Sequence, residues 1–72
     1  MDRASLTRHL EEAERQVAQG KEHIARQQAV IFQLARDGHD TAQAESLLEA
    51  LLESQGLHEQ HRGWLLRQLM ES

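Results

Sequence analysis

A 72-residue chain with no cysteine and no proline has room for one domain. It excludes disulfides and thiolate metal sites and leaves nothing to forbid long helices. Eight Lys and Arg against twelve Asp and Glu, a formal net charge of −4, disfavour nucleic acid as a partner, because phosphate recognition rests on clustered cations. No apolar run approaches the roughly 18 residues of a membrane span, and Met1–Leu10 lacks the apolar stretch of a signal peptide. The expected location is therefore cytoplasmic.

Ala, Leu, Glu, Gln and Arg dominate the chain, all good helix formers. Asp2 or Ser5 is the expected cap of a first helix running from about residue 3 to 37. Along it Leu6, Leu10, Ala13, Val17, Gly20, Ile24, Gln27, Ile31 and Leu34 are spaced alternately four and three apart. That is a coiled-coil heptad seam with Leu10, Val17, Ile24 and Ile31 in one row. Its second row is weaker, with Ala13, Gly20 and Gln27 between two leucines. Such a helix spans about 50 Å at 1.5 Å per residue.

The clearest punctuation is Arg36-Asp37-Gly38-His39-Asp40-Thr41. Gly38 suits the left-handed residue that closes a helix, and Arg36 complements the dipole of the last turn. The turn is expected at 38–40. Asp40 or Thr41 is the expected cap of the next helix, with Gln43 placed to complete a capping box with Asp40. This second helix runs from about 41 to 70. Its apolar residues gather at the two ends, Leu47, Leu48, Leu51 and Leu52 in one group and Trp64, Leu65, Leu66, Leu69 and Met70 in the other. Gly56 and Gly63 weaken the stretch between, at roughly 1 kcal/mol each, and a break near Gly56 would give a three-helix bundle instead. No proline or second turn cluster supports that break, so the continuous helix is the preferred reading.

The fold class is all-α, an antiparallel two-helix hairpin forming a single domain over 1–72. With the turn centred near residue 39, Ile31 meets Leu47 and Leu48, Val17 meets His61 and Arg62, Ala13 meets Leu65, Leu10 meets Leu69, and Gly20 meets His58. Leu10, Val17, Ile24, Ile31, Leu34, Leu48, Leu51, Leu65 and Leu69 form the expected core and interface. Val30, Phe32, Leu52, Leu57, Trp64, Leu66 and Met70 flank the seam, more apolar surface than one hairpin covers. Two hairpins meeting about a two-fold axis would supply a four-helix bundle. Residues 1–36 hold six basic and five acidic residues, and 37–72 hold two and seven. That difference modestly favours packing one half on the other.

The runs Glu22-His23-Ile24-Ala25-Arg26-Gln27, Asp37-Gly38-His39-Asp40-Thr41, Leu57-His58 and His61-Arg62 resemble a group of short bacterial proteins predicted to be helical hairpins, with no assigned activity. The resemblance covers most of the chain. It implies a bacterial, cytoplasmic origin and supplies no functional residues. Gly56 and Gly63 stand where ordinary polar helix formers would be expected in that group, which puts the straightness of the second helix in question. A dimer of such hairpins would be similar in architecture to the plasmid copy-number regulator that binds paired RNA loops. The sequences do not match, so no function is borrowed from it.

His58 and His61 share a helix face at a spacing that can chelate a metal. His58-Glu59-Gln60-His61 is one residue short of the zinc-protease pattern, and no histidine follows a glutamate by three, as di-iron helices require. Polar seam residues or solvated imidazoles are the favoured reading, and neither a metal nor a cofactor is expected. His39 beside Asp37 and Asp40 reads as turn chemistry, packing over Leu34, rather than as an acid–base pair. Ser5, Ser46, Ser54 and Ser72 show no nucleophile signature, so the chain is not expected to be an enzyme. Gln27 in the seam, with Gln55 and Arg62 opposite, either sets register or is partly wet. Trp64 is the best anchor for a partner, with the alternative, the one preferred, that it fills the bundle end against Ala13.

The expected function is a homodimeric structural or adaptor module for protein–protein interaction. The alternative is a small RNA-binding or other nucleic-acid-binding hairpin dimer. Only Arg8, Arg15, Lys21 and Arg26 support it, and they are interleaved with glutamate.

Overall fold

A computed structural model describes residues 2–71; Met1 and Ser72 lie outside the described residues. Helix α1 spans Arg3–Arg36 and helix α2 spans Ala42–Glu71. The two pack antiparallel as one rod of 54 × 14 × 13 Å. Among the described residues no strand occurs, and no helix is long and apolar enough to cross a membrane.

The ends of both helices follow from local chemistry. Asp2 takes the cap of α1: its Oδ1 accepts the Ser5 N–H at 2.7 Å, so Ser5 is the donor and not the cap. At the other end Asp37 is the last half-helical residue and Gly38 follows at φ 78°. The Gly38 N–H donates to the Ala35 carbonyl at 3.1 Å and the His39 N–H to the Leu34 carbonyl at 2.9 Å. These two bonds satisfy carbonyls that a helix end otherwise leaves bare, and only glycine reaches the required φ without strain. The link between His39 and Leu34 is thus a backbone bond.

The cap of α2 divides between both candidates. Thr41 holds the cap position, its carbonyl accepting from the Glu45 N–H at 2.8 Å. Asp40, one residue earlier, provides the side chain, its Oδ1 accepting the Ala42 N–H at 2.9 Å.

Helix α2 runs unbroken through Gly56 and Gly63, so the three-helix alternative is not the architecture. Nothing lies within 4 Å of where a Gly56 Cβ would stand. That glycine weakens the helix without interrupting it, and no proline removes a hydrogen bond there.

The core is small and lies toward the open end of the hairpin, away from the turn. Leu6, Ala13 and Leu65 are buried together, with Leu10 and Leu69 packed against them, and Val17 is buried nearby. Ile24, Ile31, Leu34, Leu48 and Leu51 are only half-buried. Leu6, Leu10, Ala13, Leu65 and Leu69 share one cluster, as the meeting of these two helix ends requires. Trp64 does not fill the bundle end against Ala13: it is 45% exposed and Leu65 takes the inward place. Adjacent residues point about 100° apart around a helix, so only one of the pair can face α1.

Candidate functional site

The feature that organises the molecule is its polar seam. From the cap of α2 onward the buried and half-buried positions include Thr41, Ala44, Leu48, Leu51, Gln55, His58, Arg62, Leu65 and Leu69. Their spacing of three and four makes a second heptad seam, antiparallel to that of α1. Polar residues occupy its middle, which is why the leucine groups alone hide it.

Two glutamines cross-link the seams in opposite senses. Gln55 of α2, only 6% exposed, donates its Nε2 to the Val17 carbonyl of α1 at 2.8 Å. Gln27 of α1 donates its Nε2 to the Ala44 carbonyl of α2 at 2.8 Å. Each reaches main chain, which no substitution on the partner helix removes, and so each fixes one level of the register. Gly20 makes room for Gln55: a Cβ there would stand 2.7 Å from Gln55 Cδ and 3.2 Å from its Nε2. The expected pairing of Gly20 with His58, and of Val17 with His61, is therefore corrected by about one turn. Gln55 is the residue that meets Gly20 and the Val17 carbonyl, and His61 is exposed. A turn centred slightly before residue 39 accounts for the slip. Gln55 Oε1 is buried with no hydrogen-bond partner and lies against the Gly20 backbone, where a weak Cα–H contact is the available compensation.

His58 and His61 take different surroundings. His58 is half-buried beside Ser54, with Oγ and Nε2 3.5 Å apart. It lines a groove of about 180 Å³ with Gln16, His23 and Gln55. His61 is exposed and stacks on Trp64, ring centroids 6.5 Å apart and planes 9° from parallel. Among the described residues no three His, Asp or Glu side chains gather as a metal site would need. His39 is exposed in the turn.

The surface left over is unusually apolar. Val30, Phe32, Leu47, Leu52, Leu57, Trp64, Leu66 and Met70 are all exposed. With the seams fixed, helical geometry at about 100° per residue sorts them onto the two broad sides of the rod. Val30, Leu47, Leu57 and Trp64 fall on the side that carries the groove beside His23 and His58. A second groove on that side is lined by His23, Arg26, Gln27, Val30 and Leu51. Phe32, Leu52, Leu66 and Met70 fall on the other side.

Comparison of the chain with protein-family models, with curated proteins and with solved structures gives no match.

Proposed function

We propose that the chain is a small self-associating helical bundle, serving as a structural or adaptor module for protein–protein interaction, with a homodimeric four-helix bundle as its assembled form. One observation carries the reading, the imbalance between what the hairpin buries and what it leaves in water. Among the described residues four apolar side chains are buried, Leu6, Ala13, Val17 and Leu65, while eight large ones are exposed.

Ordering a residue's backbone costs about 1–2 kcal/mol, and full burial of a large apolar side chain returns about 1.5–3 kcal/mol. A core of four residues is thin support for seventy ordered ones. Packing exposed leucines and Trp64 against another molecule supplies the missing burial, and it does so without any further chemistry in the chain. The seams favour the same reading, since heptads are the pattern by which helices assemble side by side.

Folding and association are then linked, so the melting temperature rises with protein concentration. Circular dichroism melts over a hundred-fold concentration range, with sedimentation equilibrium alongside, test this. A monomer mass throughout, with a melting temperature independent of concentration, would overturn it.

A further inference from the structure

The two broad sides of the hairpin are equal in large apolar residues and unequal in charge. The side of Phe32, Leu52, Leu66 and Met70 also carries Glu11, Glu14, Glu45, Glu49 and Glu59 with Lys21, by the same helical geometry. Two copies meeting there about a two-fold axis would set five carboxylates and one ammonium against the same set, which like-charge repulsion opposes. The side of Val30, Leu47, Leu57 and Trp64 carries Glu12, Arg26 and Glu71, with the cap residues Asp2 and Asp37 at its two ends, and its remaining polar groups are glutamines, Ser5, Ser54 and histidines. Depletion of charge around aromatic and apolar anchors is the composition of an interface centre.

The area fits as well. A face 54 Å long and about 15–20 Å wide, two helices side by side, covers on the order of 800–1,000 Å². A stable interface of ordinary size takes about 800 Å² from each partner. Between its two ends the face carries little charge, and its glutamines both donate and accept, which suits an isologous contact.

We infer that a second copy of the hairpin seats on the face of Val30, Leu47, Leu57 and Trp64. The inference rests on the self-association proposed above and names its surface.

The test is sedimentation equilibrium at pH 7.5 on the full chain and two variants. The paired substitution Leu57→Glu, Trp64→Glu abolishes the dimer, while Leu52→Glu, Leu66→Glu on the opposite side leaves it.

Trp64, the only tryptophan, gives a reading that does not depend on any variant folding. Its emission shifts to the blue as the native protein is concentrated at pH 7.5. A monomer at every concentration would overturn the self-association and this inference together. A dimer that survives the Leu57/Trp64 change but not the Leu52/Leu66 change, or that leaves Trp64 emission unmoved, overturns the face alone.

Discussion

Gly20 and Gly56 are two helical glycines that the same substitution separates. In a helix interior alanine is favoured over glycine by about 1 kcal/mol. At Gly56 nothing lies within 4 Å of the new Cβ, so Gly56→Ala stabilises by about 0.5–1 kcal/mol. At Gly20 the new Cβ meets Gln55, and the Gln55 side chain must leave. That loses its hydrogen bond to the Val17 carbonyl, about 1 kcal/mol, and the burial of two methylenes at about 0.8 kcal/mol each. Set against the propensity gain of about 1 kcal/mol, the net is a loss of about 1–2 kcal/mol. For a domain this small, that lowers the melting temperature by roughly 5–15 °C. The double change Gly20→Ala, Gln55→Ala costs little beyond Gly20→Ala alone, because the first substitution has already removed the Gln55 contacts. Thermal melts followed by circular dichroism, at one fixed protein concentration so that association does not intrude, measure all three. A Gly20→Ala protein as stable as Gly56→Ala would refute the argument that Gln55 dictates the glycine.

Gly38→Ala forces a β-carbon into a residue at φ 78° and lowers stability by about 1 kcal/mol in urea titration, although no atom stands in its way. Ile24→Asp puts an unpaired charge in the middle of the seam, and the far-ultraviolet helical signal at 25 °C should be largely lost; an intact spectrum would contradict the seam assignment. The backbone and side-chain hydrogen bonds from Ser5 hold the Asp2 carboxyl below its ordinary value. Its contribution to the first turn of α1 is therefore complete above the ordinary carboxylate range and is lost as pH falls through the lowered value. Asp2→Ala should show a smaller acid-induced drop in melting temperature than the native chain between pH 5 and 2.

Much of the fold was legible because local chemistry and periodicity agree. The Gly38 turn and the inward row of α1 each have a single reading, and both hold in the structure; the cap of α1 was open between Asp2 and Ser5, and Asp2 takes it. The α2 seam was harder to read because apolarity was the signal being followed. Gln55, His58 and Arg62 occupy inward positions, so the leucines appear as two separate groups. Spacing alone, traced through Thr41, Ala44, Leu48, Leu51, Gln55, His58, Arg62, Leu65 and Leu69, would have revealed it. The register could not be read to within a turn, because a glycine accepts any large side chain opposite it and both His58 and Gln55 are large. The uneven charge on the two sides was present in the sequence throughout, but it becomes visible only when both seams are placed.

The position of the core has a consequence for how the chain folds. The cross-helix bond nearest the turn, Gln27 to Ala44, joins residues 17 apart in sequence; Gln55 to Val17 joins residues 38 apart, and Arg3 to the Leu69 carbonyl 66 apart. Closing the near rung first costs least, and each closed rung shortens the loop left for the next. Yet residues 20–55 contain no buried apolar side chain. The early rungs are easy to form and return little, and the hydrophobic gain arrives only when Leu6, Ala13 and Leu65 meet at the far end. A zipper whose reward lies at its last teeth has no stable halfway state. Folding of the hairpin should therefore be all-or-none, without a populated intermediate, even though its topology would let it close stepwise from the turn.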